Sequence, residues 1–142
     1  MQARKRARRL AVQAIYQWQV SQDGLSRIEA QFDEKEDMAR ADREYFQELL
    51  HKVPAVLDEL DAELAPLVER SIGEVDPVER AILRIATYEL MRRIDIPYRV
   101  VLNEAVALTK TFGASEGHKF VNGVLDRLAR KLRAIEVRAS GG

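Results

Sequence analysis

The sequence predicts an all-α fold, and three observations carry that prediction. Apolar residues recur at steps of three and four along nearly all of the 142 residues, the period of helices with one buried face. Glycine (7) and proline (4) are few, and strand-like alternation is scarce. Helix-start and helix-stop signals punctuate the chain, the clearest at Asp76-Pro77. The expected architecture is a single domain of six or seven helices spanning 1–142, with antiparallel neighbours where connections are short.

The first helix is expected over 4–20. A turn of about 100° per residue puts Leu10, Ala11, Ala14, Ile15 and Trp18 on one stripe. Lys5, Arg6, Arg8 and Arg9 fall largely on the other side, with Val12, Gln13 and Tyr16 among them. Asp23-Gly24 ends it, and a short helix follows over 26–33 with Ser26 as N-cap and Ile28 and Phe32 inward. A long pattern then runs through Phe46, Leu49, Leu50, Val53, Leu57, Leu60, Leu64 and Leu67. Pro54 cannot donate to the carbonyl of Leu50, so a kink or break is expected near 52–54. Acidic residues dominate the outer face of this stretch.

Asp76 can cap the next helix, Pro77 suits its first position and Glu79 can complete a capping box. That helix, 77–93, is apolar over more than half its circumference and is expected to be central. Pro97 opens a helix to about 112, with Val100, Val101, Ala105 and Leu108 inward and Gly113 at its end. Ser115 is expected to cap the last helix, 116–135, whose stripe is Val121, Val124, Leu125, Leu128 and Leu132. Residues 138–142 read as a frayed, flexible tail.

Composition narrows the function classes. Cysteine is absent, which excludes disulfides, thiolate nucleophiles and cysteine-based metal sites. No apolar run is long enough to span a membrane, and the N-terminus lacks a secretory h-region, so the cytoplasm is the expected compartment. The net charge of +0 hides a segregation. Residues 1–27 carry +5, residues 28–79 carry −11 and residues 80–142 carry +6. Such a pattern fits either solvated helix faces or a polyanion site at one place with a different partner elsewhere.

Signals for catalysis are thin, and no enzyme activity, cofactor or metal is expected. His51 and His118 lie in unrelated helices, and no zinc-binding histidine pair occurs. No serine sits in a nucleophile elbow. The stretch 113–119 has only three residues between its glycines and no Gly-Lys-Ser/Thr, so it is not a phosphate loop. It does precede a helix N-terminus, which favours anions, with Lys119 in support and Glu116 opposed.

Two features point to RNA. Arg4, Lys5, Arg6, Arg8 and Arg9 can neutralise phosphates, and Tyr16 shares their face, where a base could stack. Phe120 falls at the edge of the last helix's apolar stripe near Arg127 and Lys131, so it is either a stacking platform or a peripheral core residue. A helical protein-interaction module without specific RNA binding is the alternative.

Four blocks carry a family resemblance: Arg-Arg-Leu-Ala-Val-Gln-Ala-Ile-Tyr-Gln-Trp (8–18), Ala-Ile-Leu-Arg-Ile-Ala-Thr-Tyr-Glu-Leu (81–90), Asp-Ile-Pro-Tyr-Arg-Val-Val-Leu-Asn-Glu-Ala-Val (95–106) and His-Lys-Phe-Val-Asn-Gly-Val-Leu-Asp (118–126). Together they resemble the NusB family of bacterial transcription antitermination factors, over roughly 4–133. A related domain opens some ribosomal-RNA cytosine methyltransferases; the free-standing form is the expected match. The resemblance implies two three-helix bundles packed across each other. It implies binding of the boxA element of nascent, notably ribosomal, RNA together with NusE, a small-subunit ribosomal protein. The pair would seed an antitermination complex on RNA polymerase. Carried over residue by residue, it places Arg4, Lys5, Arg6 and Arg8 in the RNA-contacting N-terminal segment, with Arg9 an added base. It makes Phe120 an RNA contact with Lys119 beside it, Glu116 a modulator of RNA affinity and Glu79 a contact for NusE. Tyr16 could serve either surface. Both a monomer and a homodimer are compatible with it.

Overall fold

Eight α-helices account for most of the described residues, 2–114 and 116–141, of this computed structural model. They are α1 (Gln2–Val20), α2 (Leu25–Asp33), α3 (Arg43–Ala55), α4 (Leu57–Val68), α5 (Pro77–Arg92), α6 (Tyr98–Phe112), α7 (Gly117–Leu132) and α8 (Ala134–Ala139). Single 3-10 turns occur at Glu36–Arg40 and Ile72–Glu74. The all-α expectation holds, with no strand among the described residues. The chain divides into two compact units, residues 1–57 and 58–142.

In the first unit α1, α2 and α3 pack pairwise. Phe32 of α2 stacks on Phe46 of α3 at 5.8 Å between centroids. Asp42 caps α3 by accepting from the Tyr45 N–H, and its own N–H donates to the Ala3 carbonyl at 2.9 Å. That bond ties the start of α1 to the start of α3. Glu29 of α2 takes a bond from Gln47 and pairs with His51, both on α3. Three local expectations change here. α2 begins at Leu25 with Gly24 as N-cap, so Ser26 lies in its first turn rather than capping it. Arg8 and Val12 are buried, not outward, because α1 packs against both helices and the 3-10 turn. The break near Pro54 comes at Val56, so the long apolar pattern is two helices.

In the second unit α5, α6 and α7 pack pairwise, and α8 lies against α7. Every residue of 81–90 is buried, as the wide apolar pattern of this segment predicts. The Asp76 carboxylate accepts from Val78 and Glu79 N–H at 3.1 Å each, the expected cap. A capping box forms instead one element earlier, between Ser71 and Glu74. It holds the Glu74 carboxyl below the ordinary carboxylate range, through the Ser71 hydroxyl first and its N–H second. Val100 is 40% exposed rather than inward, because the buried face of α6 runs through Tyr98, Val101, Leu102, Ala105, Leu108 and Thr109. Gly113 ends α6 in extended backbone; a Cβ there would sit 2.8 Å from the Thr109 carbonyl oxygen. Ser115, the expected cap of α7, lies outside the described residues.

The acidic face of α4 is not simply solvated. Asp61 holds the buried Arg84 of α5 through two bonds of 3.0 and 2.8 Å. Glu59 pairs with Arg92 of α5, and Glu63 with Lys131 of α7 at 2.7 Å. Part of the charge segregation along the chain is therefore complementarity within this unit.

The helix expected over 116–135 stops at Leu132 because Arg133 turns inward. Arg133 is 6% exposed and donates to the carbonyls of Leu90, Ile96, Glu89 and Arg93 at 2.8–3.2 Å. It also pairs with Glu136, which accepts from the Tyr98 N–H at 2.8 Å. Residues 138 and 139, expected in a tail, complete α8, and the Ser140 hydroxyl meets the Tyr98 hydroxyl at 3.0 Å.

Replacing Arg133 by Met removes the donors of four carbonyls and should lower stability by about 2–4 kcal/mol in urea unfolding. Arg133→Lys should recover only part of it, because one ammonium cannot span the set. Burial raises the Glu136 carboxyl, but the Tyr98 N–H and Arg133 outweigh it and hold it below its ordinary value. Its contribution is thus full above the ordinary carboxylate pKa and lost as pH falls through the depressed one. Hydrogen exchange at the Tyr98 amide should accelerate in that acid window relative to neighbouring α6 amides. An acceleration of the same size in Glu136→Gln would contradict the assignment.

Candidate nucleic-acid interface

The sequence's RNA candidates fall into two groups, one in each unit. The first lies on α1. Basic residues crowd its first two turns and none of its first turn is acidic, so cations add to the positive end of the helix dipole. That arrangement is unfavourable for the helix alone and favourable for an anion. Packing divides the cations. The Arg4 guanidinium lies 4.5 Å from the centroid of the Tyr45 ring and that of Arg8 lies 5.5 Å from it. Arg8 is 3% exposed, so its expected place on the outer face is corrected: it packs on Tyr45. Lys5 and Arg9 are exposed, and Arg6 is half-buried. Lys5, Arg9 and Tyr16 fall within roughly 40° of one another around the helix. Tyr16 is 39% exposed, so this stripe presents two cations and part of an aromatic residue to solvent.

The second group gathers at the start of α7. Glu116 is the N-cap and adopts a left-handed conformation, with φ of 73°. Its carboxylate pairs with Lys119 at 2.7 Å, both side chains being exposed. Phe120, one residue on, is half-buried. The cations expected beside it are engaged elsewhere: Arg127 donates to the Leu67 carbonyl at 3.1 Å and Lys131 pairs with Glu63. Arg70 takes their place, its guanidinium 4.7 Å from the Phe120 ring centroid. Arg70 stands just past α4, after Glu69, which is also left-handed with φ of 59°. Nothing in the local sequence marks it, because its neighbour on α7 is fifty residues away in the chain.

Glu79 is the third element. It is 7% exposed, and its carboxylate faces α7, where a Cβ on Gly117 would lie only 2.5 Å from Oε2. Burial first, and the nearby Asp76 carboxylate second, push its carboxyl above the ordinary range, while Arg70 pulls it back. A residue expected to contact a protein partner is thus mostly enclosed, its carboxylate set against the first turn of α7. Among the described residues no cluster of His, Asp and Glu could hold a metal ion, and no helix is long and apolar enough to cross a membrane.

Comparison with known proteins gives these surfaces a setting. The family model described as the NusB family matches residues 5–130. The chain belongs to the NusB family. The transcription antitermination protein NusB of Pseudomonas putida (strain W619) is 53% identical over 137 residues, 96% of this chain and 82% of that protein. Its counterpart in Hahella chejuensis (strain KCTC 2396) is 51% identical over 140 residues, 99% of this chain and 94% of that protein. The solved structure of T. maritima NusB aligns with a TM-score of 0.74 at 31% identity, covering 92% of this chain and 94% of that one. The blocks that carry the NusB resemblance fall on α1, α5, the α5–α6 connection with α6, and α7.

Gly117→Ala should drive the Glu79 carboxylate out of its place and destabilise the protein, whereas the same change in a Glu79→Ala background should cost little. Thermal unfolding of the four proteins of this cycle measures the coupling. Equal losses in both backgrounds would mean that Glu79 does not brace α7.

Proposed function

We propose that the protein is a non-enzymatic RNA-binding antitermination factor whose two units act as one domain. It binds the boxA element of nascent ribosomal RNA together with NusE and so helps assemble an antitermination complex on RNA polymerase, in the cytoplasm. The observation that carries this reading is the grouping, in each unit, of exposed cations with a partly exposed aromatic side chain: Lys5, Arg9 and Tyr16 along α1, and Lys119 with Phe120 at the start of α7. The chain's place among transcription antitermination proteins supports it.

Each residue has a distinct task in this proposal. Lys5, Arg6 and Arg9 neutralise phosphates along α1, and Tyr16 offers its ring beside them. Arg4 and Arg8 act mainly by fixing the helix start on Tyr45. Phe120 stacks on a base, Lys119 draws the backbone in, and Glu116 moderates Lys119 through their ion pair. Glu79 shapes the NusE-binding surface from beneath by holding the start of α7, rather than by presenting its charge.

The test is fluorescence anisotropy with a labelled single-stranded boxA-type RNA and a scrambled control, with and without NusE. Selective binding that NusE strengthens is expected. With about four phosphates neutralised, log K should fall on log salt with a slope of roughly −3. Phe120→Ala should weaken binding by about 1–3 kcal/mol. Equal binding to both RNAs, unaffected by NusE, would leave a helical protein-interaction module. Unchanged RNA affinity with a lowered melting temperature in Phe120→Ala would make Phe120 a core residue only.

A further inference from the structure

Arg70 has no role in any motif of the sequence, yet its position is defined by three neighbouring elements. α4 ends in the left-handed Glu69, which turns the chain so that the next residue leaves the helix axis. The following turn is clamped by the Ser71–Glu74 capping box. Between these two devices the Arg70 side chain lies over the face of Phe120. Arg70 is itself exposed, and Phe120 is half-buried, so the pair forms a cation-capped ring at the surface.

The charges around it sharpen the point. Lys131 is held by Glu63, Arg127 donates to the Leu67 and Gly123 carbonyls, and Lys119 is paired with Glu116. The carboxylates of Glu74 and Glu79 both feel Arg70. Neither forms a direct ion pair with it among the described contacts; Glu74 is committed to Ser71 and Glu79 lies against α7. Among the described contacts the guanidinium donates no hydrogen bond, so its donors are open to a ligand while its central carbon lies 4.7 Å from the ring centroid.

We infer that Arg70 is an RNA-binding residue that acts with Phe120 as one subsite for a nucleotide of single-stranded RNA. A base stacks at Phe120, and the guanidinium leaves the ring face to take the adjoining phosphate through two parallel N–H donors. The ring holds the cation in readiness, so the subsite is cationic before RNA arrives and remains paired after it binds. The inference rests on the RNA-binding reading above and adds a residue from outside α7 to it.

The experiment measures binding of the labelled boxA-type RNA to the full chain with NusE present, across a salt series, for wild type, Arg70→Ala, Arg70→Lys and Phe120→Ala. Arg70→Ala should weaken binding about tenfold and make the salt slope shallower by about 0.7, the loss of one phosphate contact. Arg70→Lys should keep the slope but lose part of the affinity, because an ammonium neither stacks flat nor donates in a fork. Thermal unfolding should change little in either. In wild-type protein the NMR signals of the Arg70 δ-methylene, shifted by the Phe120 ring current, should move when RNA is added. Arg70→Ala that binds as tightly as wild type with the same slope overturns the inference and leaves the RNA reading standing. Arg70→Ala that binds more tightly also overturns it, making Arg70 a cover that RNA must displace. Wild-type protein that does not distinguish boxA-type from scrambled RNA overturns the RNA reading and this inference with it.

Discussion

Burying a guanidinium is costly unless its donors are paired, and so is ending a helix in the interior unless its last carbonyls are. Arg133 meets both demands at once. Its bonds to Glu89, Leu90, Arg93 and Ile96 join the end of α5 to the connection leading into α6. The inward turn that makes those bonds also stops α7 and starts α8, whose Glu136 then takes the free N–H at the start of α6. Four helix termini are thus located by one side chain. With α5, α6 and α7 packed pairwise, that junction fixes one end of α7, and the other end carries Phe120.

The opposite flank of α7 is set by charge. Lys131 and Arg127 reach α4 at Glu63 and at the Leu67 carbonyl, and Arg70 then covers Phe120 where α4 has ended. Along α4 the same side chains that make the segment acidic are partners of Arg84, Arg92 and Lys131. Exposed pairs of this kind contribute little individually, but the Asp61–Arg84 pair is two-pronged and largely enclosed, which is the geometry in which such a pair orients its helices. The exposed cations Lys5 and Arg9 on α1, with Arg70 and Lys119 beside Phe120, mark the candidate interface.

Periodicity and capping chemistry located α1 to α7 to within a few residues, but not the separate α8 or the Gly24 cap of α2. The breadth of the apolar pattern at 81–90 predicted a central α5, and Asp76-Pro77 predicted its start. What a single helix wheel cannot see is how many sides of a helix are covered. Arg8 and Val12 lie on the polar side of α1 by angle, yet neighbours reach them there. Arg133 looks like one more base in a basic terminal stretch, and only the carbonyls that it meets explain why α7 stops at that point. In the site, Phe120 was legible from its place at the edge of a stripe, whereas Arg70 was not, since its partner is distant in sequence. Glu79 was legible as a helix-start residue, but its enclosure by Gly117 depends on α7 being in place.

Glu69 and Glu116 hold backbone shapes that glycine adopts freely and that cost other residues about 1–2 kcal/mol. A side chain at each position also narrows the range of conformations open to the unfolded chain, so less freedom is lost when the turn forms. The two residues flank the Arg70–Phe120 pair, one before the cation and one before the ring's helix. Backbone strain is therefore stored on both sides of that pair, and a ligand that relieved either turn would gain part of that cost in its own binding.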